Sequence, residues 1–441
     1  MSEDLRNKNS FYYPSFFKMH IDTDDEFNTV NIQMNSKSKL SDTASAMLLH
    51  EYVHYLQDIT TIFGLSNIIH IVDFIKHVNG NQYNSGESDL FIPVNIDKTW
   101  GDFFYFDSER LRTLKGSVNN IQSGIIQKIE PIWEKIEFQN VSKNSLRIRI
   151  TILLPNGHNE FYYFGTHSIM ESMAYEIEQC IYPNLIRNDY EYPYLCARKI
   201  IECVFPEFLI IPNGLITLLD ASLQYPDPPG VFYAVLCFLK KSNSELVGID
   251  LYAITIRIME SQYNYVDSFE DVIISKGREA INQLCSYFNQ EKYGNTRQWI
   301  ENVIVNSTNY RKEHKNLFSL IAMGGRIQEN STFQYVYNLL GTPLISNNLG
   351  ENIIYSKLNT TLPNIYPQYL WVVSDMLNIY INSKRSIAQR CSLYGWCNQN
   401  NQDTDDRCFN SPWERVKEDN LCSFAQIWHD WNMSKYTPKE R

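Results

Sequence analysis

No apolar run in the 441 residues approaches the ~20 needed to cross a bilayer, so a membrane-embedded protein is not expected. Runs of one charge are missing too. The 39 basic side chains are scattered among 50 acidic ones, for a formal net charge of −11, and no Lys/Arg run reaches five. Neutralising phosphates needs a clustered positive face, which argues against nucleic acid as a direct partner. Charged residues make up only 20% of the chain against 44% hydrophobic, so extensive disorder is not expected either. The start, MSEDLRNKNS, has no apolar stretch of the kind a secretory signal carries, and a cytoplasmic protein is the expectation. Paired CxxC knuckles are absent among the nine cysteines. Cys180, Cys196, Cys203, Cys237 and Cys285 lie in apolar, helix-like stretches and read as buried reduced thiols.

What remains is a chain rich in apolar and aromatic residues, with 29 Tyr, 23 Phe and 8 Trp. FYYPSFF and FNTVNIQM, around the acidic turn IDTDDE, are strand-like. A strong amphipathic helix follows over ASAMLLHEYVHYLQDITTIF, with Ser41 or Asp42 to cap it and Gly64 to stop it. A second helix runs from Leu65 to about Val78, then an irregular connection over 79–117 and a helix around 118–139. Alternation through Leu146, Ile148, Ile150 and Ile152, with Pro155-Asn156-Gly157 as the turn, predicts a hairpin, and THSIMESMAYEIEQCI a helix after it. Residues 190 to about 325 read as mostly helical, interrupted at Pro206, Pro212 and the PDPPG stretch. Short helices and loops fill the last hundred residues.

His50-Glu51-Tyr52-Val53-His54 is an HExxH sequence inside the strong helix. Positions i and i+4 project from one helical face, so two imidazoles can meet one ion. Zn2+ accepts neutral imidazole nitrogens in tetrahedral geometry and leaves a position for water. Glu51 follows the first ligand by about 100° of helical turn, within reach of that water as a general base. With nine His available, a chance HExxH is expected in roughly one such chain in a hundred.

HEYVH with its apolar flank resembles the signature of the zincin metallopeptidases. Gln57 and Thr60 stand where the metzincin branch carries Gly and His, which excludes that branch. The gluzincin, thermolysin-like branch takes its third ligand from a Glu on a second helix, often with a small residue three positions on. GTHSIMESMAYEIE is similar to that form, and the resemblance implies Glu171 as ligand, with Ala174 for close helix approach. The likeness covers about forty residues. It departs from the branch in the long gap between His54 and Glu171, and in Tyr175, which stands where an Asp often orients a ligand His. Asp58 and Glu178 are the candidates to replace that Asp. Against the ligand reading, Ser168-x-x-Glu171 also spells a capping box, and Glu176 and Asp58 are rival ligands. His167, four residues before Glu171, is read as an oxyanion-stabilising residue, with Tyr162, Tyr163 and Tyr175 as alternative donors.

Cys391, Cys397, Cys408 and Cys422, with His429 beyond, could close a structural zinc site, but their spacing favours ordinary free or partly buried thiols. Trp413, Trp428, Trp431 and Phe424 read as core, IAMGGRI as a turn, and His70 with His77 as a polar helix face. The expectation is therefore an α+β protein. Residues 1–185 form a zincin-like unit with metal helices beside a small sheet, and 186–441 a mainly helical portion that selects substrate or regulates. Its expected activity is zinc-dependent endopeptidase cleavage of a protein substrate, of narrow specificity or switched on by a protein partner, with a bacterial stress, toxin or defence setting as one fitting context. The alternative is a non-catalytic zincin-like binding or scaffold protein.

Overall fold

The computed structural model describes residues 6–7, 10–27, 40–85, 88–94, 102–138, 141–185, 190–242, 250–263, 268–288, 291–355, 364–381, 391–399 and 402–440. The architecture is α+β with helix predominating. Strands β1 (Arg6–Asn7), β2 (Ser10–Tyr13) and β3 (Lys18–His20) form an antiparallel edge. FYYPSFF is thus a strand and a turn rather than one strand, with Ser15 and Phe17 at positive φ. FNTVNIQM lies, after Phe27, outside the described residues.

Helix α1 (Asp42–Thr60) begins where Ser41 Oγ accepts the Ala44 N–H at 3.1 Å. Every residue from Leu48 to Thr60 is buried, so α1 is a central helix wrapped on all sides rather than an amphipathic one. It ends at extended Thr61, not at Gly64, and α2 (Ile62–Ser85) leaves at 77°. Gly64 sits inside α2 for a packing reason. A Cβ there would lie 2.4 Å from the carbonyl oxygens of Gln57 and Asp58, so only glycine lets α2 fold back on the end of α1. No single helix among the described residues is long and apolar enough to cross a membrane; α1 and α2 reach that composition only when counted together.

The stretch 79–117, expected to be irregular, holds the end of α2, strand β4 (Asp89–Ile92) and α3 (Asp102–Lys115). The helix expected around 118–139 is instead strand β5 (Ile125–Phe138), paired along its whole length with β6 (Val141–Leu153), which pairs in turn with β7 (Asn159–Phe164). Ile125, Ile129, Ile132 and Ile136 mimic a helical period. Pro131, hostile to a helix, is tolerated because β5 is an edge strand. Beyond Ile148, β5 and β6 continue as a two-stranded ribbon with Trp133 64% exposed.

The expected hairpin of β6 and β7 leads through Gly165 into α4 (Thr166–Ile181). A helical series then runs through α5 (Cys196–Val204), α6 (Gly214–Ser222), α7 (Pro228–Ser242), α8 (Leu251–Tyr263), α9 (Phe269–Cys285), α10 (Thr296–Glu313), α11 (Leu317–Met323) and α12 (Ser331–Leu340). Strand β8 (Leu344–Ser346) joins β3 in parallel, and β9 (Asn352–Ile353) closes that sheet. The chain ends in α13 (Gln368–Ile381), α14 (Tyr394–Gln399), α15 (Asp406–Asn410), α16 (Ser423–Asp430) and β10 (Thr437–Glu440), which lies parallel to β4. One hydrophobic cluster extends from Tyr12 to Tyr436, and it includes Trp413, Phe424, Trp428 and Trp431. The central helix α1 packs against α2, α4, α10 and β2.

Candidate metal centre

Helices α1 and α4 lie against each other, and their contact brings His50, His54 and Glu171 together in the core. The nearest ligand atoms of the three all lie within 4.8 Å of one another. Glu171 Oε2 is 3.3 Å from His50 Nε2 and 3.7 Å from His54 Nε2. His54 Nε2 and Glu171 Oε1 are buried without a hydrogen-bond partner. A cation between the rings would satisfy both atoms. Two imidazoles and a carboxylate make a donor set suited to Zn2+, so the residues fit the ion expected from the sequence.

The far side of each ring explains how the near side is presented. His54 Nδ1 lies 2.8 Å from Gln57 Oε1, and Gln57 Nε2 donates to the Met170 carbonyl at 3.0 Å. That second bond fixes the amide so that its oxygen faces the imidazole. The Gln57 oxygen therefore accepts from His54 Nδ1, which leaves Nε2 facing Glu171. His50 Nδ1 lies 3.1 Å from Glu178 Oε2. Glu178 is seven residues after Glu171, two helical turns along one face of α4, so a single helix offers both a carboxylate between the two rings and the carboxylate behind His50.

Burial by itself would lower the His50 pKa, but hydrogen bonds to Glu171 and Glu178 and the nearby Glu51 charge carry it up to about 10. For Glu171, burial works upward, yet the His54 charge and the His50 hydrogen bond hold it below the usual carboxylate range. The two shifts agree in sense: without a metal, a proton on His50 takes the place of the cation.

The rivals fall elsewhere. Asp58 Oδ2 accepts from Tyr12 Oη at 2.9 Å and from the Ser15 N–H at 2.6 Å. Glu176 is paired with Arg198. The capping box does not form, since Gly165 is the N-cap of α4 and Ser168 Oγ lies 3.1 Å from Tyr162 Oη. Tyr163 stacks under the Arg147 guanidinium, 3.8 Å from its ring centroid. His167 is buried and close enough for its charge to act on Glu171. Tyr194, which sequence reasoning missed, has its ring centroid 6.1 Å from that of His50 and 5.8 Å from that of Tyr175. Nothing in the sequence distinguishes it among 29 tyrosines.

His70 is not on a polar face. It is buried, with Nδ1 3.2 Å from Asp107 and Nε2 3.3 Å from Ser108 Oγ, while His77 is exposed. Cys196 and Cys285 are buried as expected, whereas Cys180 and Cys203 are exposed and Cys237 is half-buried. A scan against protein-family models finds no match, and searches of curated proteins and of solved structures find none either.

Proposed function

We propose that this chain is a zinc-dependent endopeptidase of zincin-like, gluzincin type, with His50, His54 and Glu171 as ligands. The observation that carries the reading is the convergence of both HExxH imidazoles on a carboxylate from a separate helix, each ring held from behind by its own acceptor. Bound there, Zn2+ would supply Lewis acidity toward water and the scissile carbonyl. Glu51, on α1 beside His50, takes the proton from the attacking water and returns it to the leaving amine. His167, one turn before Glu171, donates to the developing oxyanion, with Tyr194 and Tyr175 close by as further donors.

All of these groups but the half-buried Tyr175 are buried, with Glu51 at 0% and Glu171 at 1% exposure. A protein substrate reaches such a site only after the surrounding segments part, which favours a narrow substrate or activation by a partner protein over general proteolysis. The same burial favours one other reading, in which the ion is purely structural and the protein binds or scaffolds.

The test compares wild type, His50→Ala and Glu51→Gln by metal analysis and by sequencing new N-termini in a protein extract. The expected outcome is one ion lost in His50→Ala. Glu51→Gln should keep the ion while cleavage falls by a factor on the order of 10²–10⁴. Equal cleavage by wild type and Glu51→Gln would overturn the catalytic role of Glu51. A retained ion with no cleavage by either protein would favour the structural reading.

A further inference from the structure

Residues 391–422 contain little that could hold them folded. Among the described residues, their regular structure is the six-residue α14, the five-residue α15 and a 3-10 turn over Pro412–Lys417. Few large apolar side chains of this stretch are buried, chiefly Leu393 and Trp413. Yet Cys391, Cys397, Cys408 and Cys422, from four separate segments, all line one cavity of about 720 Å³. His429, the other candidate ligand here, does not line it; it is exposed beside Asp430.

One of these sulfurs already faces a guanidinium. Arg415 Nη1 lies 2.8 Å from Cys408 Sγ.

We propose that Cys391, Cys397, Cys408 and Cys422 are the ligands of a second metal site, which takes one Zn2+ as a tetrathiolate and cross-links the segment 391–422 from end to end. Each thiol gives up its proton to solvent as its sulfur binds, so four protons leave and no oxidant or reductant is needed. No three of these sulfurs lie within 4.8 Å of one another here. A tetrahedral site with Zn–S bonds of about 2.3 Å needs sulfurs about 3.8 Å apart, so α14 and α15 draw inward on loading. A chain segment with so small a core gains the most from such a cross-link. The proposal is independent of the α1–α4 centre, and each can fail alone.

The experiment uses the full chain with His50→Ala and His54→Ala, which removes the other centre, prepared under reducing conditions and loaded with Zn2+ or Co2+. One equivalent of zinc is expected, and cobalt should show thiolate-to-metal charge-transfer absorption in the near ultraviolet. Adding Cys397→Ser and Cys408→Ser should abolish both. To avoid dependence on a variant that fails to fold, iodoacetamide labelling of the wild-type chain is mapped by mass spectrometry with and without a chelator. Shielding of Cys391, Cys397, Cys408 and Cys422 that is lost on chelation supports the site. Unchanged zinc content after the two serine substitutions, labelling of the four thiols that ignores the chelator, or disulfides among them in the zinc-treated protein would overturn it.

Discussion

Glu178 and Gln57 each hold the Nδ1 of one imidazole, so their loss should register in metal affinity before it registers in the fold. Glu178→Ala is expected to weaken Zn2+ binding by about 10–100-fold in competition with a chromophoric chelator. Proton release gives a second check. The raised His50 pKa means that zinc must displace a proton below about pH 10. Calorimetry in buffers of different ionisation enthalpy should then show about one proton released per zinc at pH 8, and affinity should climb as pH rises toward 10. Asp58 supplies a separate pH signature. Burial raises it to about 7, against the lowering effect of the Ser15 and Tyr12 hydrogen bonds. The unfolded chain ionises near 3.8, so between those values the folded state holds the extra proton, and stability falls as pH rises from about 4 to 7. Denaturant titrations of Asp58→Asn should lack that slope. His50, Glu51 and His54 were legible because five consecutive residues carry them. Gln57 and Tyr194 were not, because what they do is decided by where α4 and the 190–195 segment come to rest.

At the scale of elements, the close crossing of α1 and α2 turns on Gly64. Gly64→Ala would drive a Cβ into two backbone carbonyls that cannot swing aside, at a cost of about 1–3 kcal/mol. Thermal denaturation should show this as a lowered Tm with helix content unchanged. The glycine was visible in the sequence and was read as a helix stop; its actual task depends on a neighbour it could not reveal. The same limit explains β5. Isoleucines three and four residues apart satisfy a helix as well as they satisfy a ribbon, and only pairing with β6 decides between them. The β6–β7 hairpin, with alternation and turn in one continuous segment, was readable in full.

For the molecule as a whole, the candidate centre ties α1 to α4 across more than a hundred residues, within a core that also contains the last helices. Metal that binds the folded chain alone should stabilise it by about 4 kcal/mol at a thousand times Kd. Dipicolinate treatment should lower Tm, and added Zn2+ should restore it; no change in Tm would mean that the ion does not stabilise the fold. The α+β class and the helical middle were apparent from periodicity. The depth of α1 was not, because the stretch reads as amphipathic, with one face for solvent, whereas β2, α2, α4 and α10 enclose it.

That enclosure sets a clock as well as a barrier. An ion seated between α1 and α4 would be held by His50, His54 and Glu171, none more than 1% exposed, so a chelator could not begin to replace them from solvent. Its escape would wait on breathing of the helix pair, and the stripping rate would level off as chelator is raised, at the frequency with which the core opens.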